Sequence, residues 1–317
     1  MMAKMSKLLL ALLLVVVMVF ATACVPEGEV KPPVGDDTSS SAGDTTDETG
    51  DTTDETGDDT DDQKDEGSAE EVTLEETVLY EADGVKVTAT GLEEGFFGTE
   101  VKFLLENNSD KNVLITSDSV SVNGFMMSGA SLYTEVSAGK KANDTMSFMS
   151  SELEQAGIKT MAQIKFYLKI QDPDSWDTIN TSELLTLGTS AADYVQPVDD
   201  SGEVVYNEKG FKIVCKGLKQ DLIWDSTVVF YMENNSDQEV SIYAENVSVN
   251  GFMQDVSLWS DLRPDTKIID GMSMLDLEDL EIESIDQIKN IEFSLRIVDA
   301  NTWKEIVTTD PITVNFE

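Results

Sequence analysis

The sequence contains no histidine, which removes the side chain most used as a general base near neutral pH and the commonest zinc ligand. It has only two cysteines, Cys24 and Cys215, in unrelated contexts, so no intramolecular disulfide framework is expected. Positive charge is also scarce. The 21 Lys and Arg stand against 62 Asp and Glu, a formal net charge of −41, which disfavours partners as negative as duplex nucleic acid or anionic lipid headgroups. No apolar run is long enough to cross a bilayer comfortably. The run Leu8 to Phe20 holds 13 residues, whereas a spanning helix needs about 20. A Gly-x-Ser-x-Gly nucleophile turn is missing too, and acidic residues are so abundant that their proximity in sequence selects no catalytic pair. No enzymatic activity and no cofactor are expected.

The amino-terminal region has the build of a secretory leader. Lys4 and Lys7 precede the apolar run, which passes through Ala21-Thr22-Ala23 directly into Cys24. Small residues leading to a cysteine resemble the lipobox of bacterial lipoproteins, and that resemblance implies diacylation of Cys24 as the mature amino terminus. Two acyl chains anchor stably where one is marginal. Residues 1–23 therefore read as a lipoprotein signal peptide and 24–71 as an acidic tether. Residues 27–71 carry 18 acidic residues against Lys31 and Lys64, and Asp44-Thr45-Thr46-Asp47-Glu48-Thr49-Gly50 recurs as Asp51 to Gly57. The period of seven offers no apolar seam for a coiled coil, so this tract reads as disordered.

Beyond it one module occurs twice. Glu106-Asn107-Asn108-Ser109-Asp110 and Val120-Ser121-Val122-Asn123-Gly124-Phe125-Met126 return as Glu233-Asn234-Asn235-Ser236-Asp237 and Val247-Ser248-Val249-Asn250-Gly251-Phe252-Met253, offset by 127 residues. A period this long exceeds a solenoid repeat, so each copy is expected to carry its own core, over 72–195 and 203–317 with a junction at 196–202. Hydrophobicity alternates at period two, as in Val101, Phe103 and Leu105, in Ile164, Phe166, Leu168 and Ile170, and in their counterparts Val228, Phe230, Met232 and Ile291, Phe293, Leu295, Ile297. These are half-buried strands. The two Asn-Gly pairs read as type I′ hairpins and Asn-Asn-Ser-Asp as turn chemistry. Ser151-Glu152-Leu153-Glu154 reads as a capping box for a short helical insert, with 276–285 as its second-copy equivalent. In Phe211-Lys212-Ile213-Val214-Cys215 the thiol shares a face with Phe211 and Ile213, where the first copy has Ala89, so Cys215 is expected to be buried and inert.

The fold class that follows is all-β: two tandem immunoglobulin-like β-sandwiches, each with a short helical insert. The Val-Asn-Gly-Phe hairpin and the Ile-x-Phe-x-Leu-x-Ile strand followed by Asp and Trp resemble uncharacterised extracytoplasmic immunoglobulin-like modules of lipoproteins from Gram-positive bacteria, chiefly clostridia. The resemblance implies a fold and a location but no activity. Asp172, Asp174 and Asp177 form a weak calcium candidate without the glycine and distal glutamate of a calcium loop. The candidate partner-binding residues are Phe96 and Phe97 in one copy and Ile223 and Trp224 in the other, in equivalent loops after Gly91-Leu92 and Gly217-Leu218; closure of the sandwich core is the competing reading. The leading expectation is a module held to the outer face of the membrane by the lipid on Cys24, contacting an envelope protein or glycan and no nucleic acid. The alternatives are a structural spacer or, with less support, a solute-binding lipoprotein, which would require two α/β lobes.

Overall fold

Strands follow the period-two pattern wherever the structure, a computed structural model, describes the chain: residues 72–219, 226–256, 258–274, 282 and 284–316, all within the unit Gly67–Glu317. In the first copy these are β1 (Thr77–Ala82), β2 (Val85–Glu94), β3 (Gly98–Asn107), β4 (Val113–Val122), β5 (Phe125–Met126), β6 (Tyr133–Val136), β7 (Lys140–Met149), β8 (Gln163–Gln171), β9 (Thr178–Thr181) and β10 (Leu185–Gly188). In the second copy β11 (Glu203–Glu208), β12 (Phe211–Lys219), β13 (Ser226–Asn234), β14 (Val240–Val249), β15 (Phe252–Met253), β16 (Trp259–Leu262), β17 (Thr266–Met274), β18 (Asn290–Asp299), β19 (Glu305–Thr308) and β20 (Ile312–Asn315) repeat that order. The described protein is all-β apart from one six-residue helix and a single 3₁₀ turn, Ile285–Gln287. The two α/β lobes of a solute-binding protein are not found among the described residues.

One layer of the first copy is the antiparallel sheet β1-β2-β3-β7, and the other is built on β4 and β8 with β5, β6, β9 and β10 beside them. Alternate residues of both layers meet in one core: Val101, Phe103 and Leu105 from β3 face Ile164, Phe166, Leu168 and Ile170 from β8. Phe103 and Phe166 cross edge to face at 6.2 Å, and their counterparts Phe230 and Phe293 do so at 5.6 Å. Burying such a side chain contributes about 1.5–3 kcal/mol, so the alternation in sequence is the main determinant of the layers. The irregularities repeat as well. The β4/β8 pairing slips between Asp118 and Ser121 and the β14/β18 pairing between Glu245 and Ser248, with Ser119 and Asn246 at positive φ in the two bulges.

The repeated polar motif has a structural explanation. Asn107 is fully buried; its Nδ2 donates to the carbonyls of Lys111 and Val136, and its Oδ1 accepts from the amide and hydroxyl of Ser109. Asn234 makes the matching four bonds with Gln238, Leu262 and Ser236. Each amide uses its full capacity, which a buried polar group requires. In the hairpins Asn123 and Gly124 lie at φ 51° and 84°, and Asn250 and Gly251 at 50° and 85°, the left-handed pair that a type I′ turn demands. Asn123 Oδ1 also accepts from the amides of Ala162 and Gln163, tying the hairpin to the start of β8.

Helix α1 (Ser150–Gln155) differs from the expected capping box. Its N-cap is Met149, with no side-chain cap, because the chain passes straight from β7 into the helix and the Ser150 amide already donates to the Phe97 carbonyl at 2.9 Å. Glu152 turns away from the helix end and accepts from the amides of Ser128 and Gly129. Most of 276–285 lies outside the described residues.

The copies are joined more tightly than the junction composition indicates. The Lys267 amide donates to the Gly124 carbonyl at 2.9 Å, and β17 pairs with β5 in parallel, which merges two layers into a ten-stranded sheet. Strand β13 is buried on both faces: Phe230 and Met232 point into the second core, while Tyr231 and Val214 of β12 pack into the first. Arg263, 4% exposed, donates from Nε to the Ser119 carbonyl at 3.0 Å and from Nη2 to Ser121 Oγ at 2.5 Å, with its guanidinium 5.9 Å from the Tyr167 ring centroid. The junction itself is clamped, Asp199 by Lys216 and Asp200 by Lys212.

Candidate functional site

The β2–β3 loop is a three-residue tip on a rigid neck. The Gly95 amide donates to the Gly98 carbonyl at 2.7 Å, and the Phe97 carbonyl is held by Ser150 of α1. Gly98 has φ 145°, and a Cβ there would stand 2.1 Å from the Phe148 carbonyl, so only glycine lets β3 approach β7 this closely. Below the tip, Lys102 pairs with Glu93 and Glu100, each at 2.7 Å. These two contacts raise the Lys102 pKa, the Glu100 bond being the larger cause. Phe96 and Phe97 project from this neck 91% and 69% exposed, edge to face with each other at 4.8 Å. The core-closing reading of these two side chains is therefore excluded. Ile223 and Trp224 of the second copy lie outside the described residues, as does Cys24.

A second exposed surface was not assembled by sequence reasoning. Tyr243 on β14 faces Trp259 on β16 as its register partner, with ring centroids 5.6 Å apart, and Trp303 from the β18–β19 turn closes a triangle at 6.4 Å and 6.1 Å. Trp303 holds φ 60° in that turn. The first copy has a smaller version, Tyr133 and Trp176 at 6.2 Å. The residue types were visible in the sequence. Their convergence from three separate elements was not.

The calcium candidate is a turn. Asp172 Oδ1 accepts from the amides of Asp174 and Ser175, each at 3.0 Å, and Asp177 accepts from the Ser175 hydroxyl. The Ser175 amide leads the bonds that hold the Asp172 pKa below the usual carboxylate range. The three carboxylates do not converge, and no metal-holding cluster occurs among the described residues. Asp299 builds the same turn with Asn301 and Thr302. Cys215 is buried in the second core, and burial pushes its thiol pKa up, which disfavours the reactive thiolate.

No family model matches this chain. No curated protein matches it either. Among solved structures it is similar to the YadV chaperone, with 11% identity and a TM-score of 0.22 over 68% of this chain and 92% of that one. A complex of the Salmonella enterica SafA pilin with the SafB chaperone matches with 14% identity and a TM-score of 0.21 over 75% of this chain and 98% of that one. Red sea bream transglutaminase matches with 9% identity and a TM-score of 0.21, over 76% of this chain and 31% of that one. Likenesses at this level identify neither a family nor an activity.

Proposed function

We propose that this chain is a lipid-anchored, extracytoplasmic binding module. Cys24 carries the lipid, the acidic tract 24–71 gives reach, and two immunoglobulin-like sandwiches present the Phe96–Phe97 tip to a protein of the cell envelope. The observation that carries this reading is the exposure of both rings, 91% and 69%, on a loop whose backbone is fixed at both ends. Rigid aromatic side chains lose little entropy on docking and dominate interface energetics. Glu93, Glu94 and Glu100 on the strands below the tip are only partly neutralised by Lys102, so the complementary surface is an apolar pocket with a basic rim. The spacer alternative draws support from the clamped contact between the copies, but a spacer needs no exposed phenylalanine pair.

The anchoring half is tested by labelling cells with a tagged fatty acid and comparing the native chain with Cys24→Ala. Label on the native chain and its loss in the variant supports the anchor; label on neither removes it. The binding half is tested by capture of envelope proteins on the purified chain and on Phe96→Ser/Phe97→Ser.

A further inference from the structure

All three tryptophans among the described residues, Trp176, Trp259 and Trp303, are more than half exposed, at 56%, 58% and 56%. The two cores are filled instead by phenylalanine and aliphatic side chains. Neither core needs these rings, and a contiguous exposed apolar patch of this kind marks an interaction site.

From the geometry of the second-copy cluster we infer a site for an uncharged glycan on the face formed by Tyr243, Trp259 and Trp303. The three centroids stand 5.6–6.4 Å apart, so the rings pack against one another. No ring-walled gap is left for the ammonium group that an aromatic cage encloses. What remains is a stepped aromatic surface: Tyr243, half-buried, is tilted 40° to Trp259 and 34° to Trp303, and the two tryptophans, more than half exposed, meet at 72°. An aromatic face is electron-rich, and the C–H face of a pyranose, flat and slightly positive, stacks on it.

The polar half of the site adjoins this surface. Trp259 also lines a cleft of about 320 Å³ whose wall includes the exposed Ser131 and Asp261 and the half-buried Ser117, with Met126, Met127 and Ile268 among its apolar residues; Ser260, 1% exposed, is spent on a hydrogen bond to Asp270. The exposed Ser131 hydroxyl and Asp261 carboxylate beside a stacking surface suit the outward hydroxyls of a sugar, as the few placed polar groups of a ligand site do. Asp261 fixes the orientation of Trp259, accepting from its Nε1 at 3.0 Å. With a net charge of −41 and this carboxylate beside it, the site repels anionic polysaccharides. The first copy offers only Tyr133 and Trp176, with Thr116 where the second copy has Tyr243, so the second copy holds the stronger site.

The test is calorimetric titration of the full-length chain with the hexamers of glucose, mannose and N-acetylglucosamine, and with polygalacturonate as an anionic control. At least one neutral hexamer should bind with an affinity that salt barely changes. Trp259→Ala and Trp303→Ala should each weaken it about tenfold or more, the size of a hot-spot loss, while the thermal midpoint holds. Phe96→Ser/Phe97→Ser should bind the same hexamer unchanged, which separates this site from the loop tip. Binding by none of the neutral hexamers, binding confined to polygalacturonate, or unaltered binding by both tryptophan variants overturns the inference. Loss of protein capture without loss of glycan binding in those variants overturns it as well.

Discussion

Replacing Arg263 by methionine tests how the two copies are held together. The guanidinium is buried, donates to the Ser119 carbonyl and the Ser121 hydroxyl of the first copy, and lies over Tyr167. Burial lowers its pKa, opposed by the field of Tyr167, Glu239 and Asp118. Methionine keeps much of the volume and removes the cost of desolvating a charge, so the penalty comes from acceptors left without donors, about 1–3 kcal/mol each. The Ser121 hydroxyl can turn to another partner, which leaves the Ser119 carbonyl and an expected net loss of about 1–3 kcal/mol. For a folded region of this size that lowers the thermal midpoint by roughly 2–12 °C. Arg263→Lys, a point charge in place of a planar fork, should fall between the two. Thermal unfolding followed by near-ultraviolet circular dichroism reads both variants. A methionine variant as stable as the native chain would refute the reasoning and assign the contact to the β5–β17 pairing and the packing of Tyr231 and Val214.

Three further outcomes follow from the same structure. Gly98→Ala forces a side chain against the Phe148 carbonyl at a left-handed φ and should cost about 2 kcal/mol or more in denaturant unfolding. Asn107→Ala and Asn234→Ala each remove a buried amide making four hydrogen bonds and should each cost about 2–4 kcal/mol, whereas exposed Asn108→Ala should stay within about 0.5 kcal/mol. Below pH 4 the thermal midpoint should fall. Ser201 and then Lys216 hold Asp199 at a pKa of about 2, and Asp172 and Asp299 are also lowered. Their folded pKa values lie below the unfolded ones, so this stabilisation is present above the ordinary carboxylate range and is lost as pH falls toward about 2. A midpoint that keeps rising down to pH 2 would contradict it.

Much of the fold was legible because burial imposes period two on a strand. Ile164, Phe166, Leu168 and Ile170 are all buried in the core with the intervening residues outward, as the alternation predicts, and the Asn-Gly hairpins carry the backbone angles their residues favour. The helix cap was misread because Ser151 has the right residue type at a position that the incoming strand β7 had already fixed. The contact between the copies was hidden because it depends on the second face of β13. Tyr231 looks like an outward residue until the neighbouring copy covers it. Arg263 carried a faint signal, being one of two arginines in the chain, but nothing local showed what it would meet. Of the candidate sites, Phe96 and Phe97 were readable as large apolar residues in a loop, while the meeting of Tyr243, Trp259 and Trp303 depends on strand register and a turn.

Capture of envelope proteins by the purified full-length chain and by Phe96→Ser/Phe97→Ser, quantified side by side, tests the binding role of the tip most directly. Burial of two phenylalanine rings contributes about 3–6 kcal/mol before the costs of association, so a specific partner should be retained by the native chain and weakened at least about tenfold by the double variant. Equal retention by both chains, or no partner on either, would contradict a binding role for the tip.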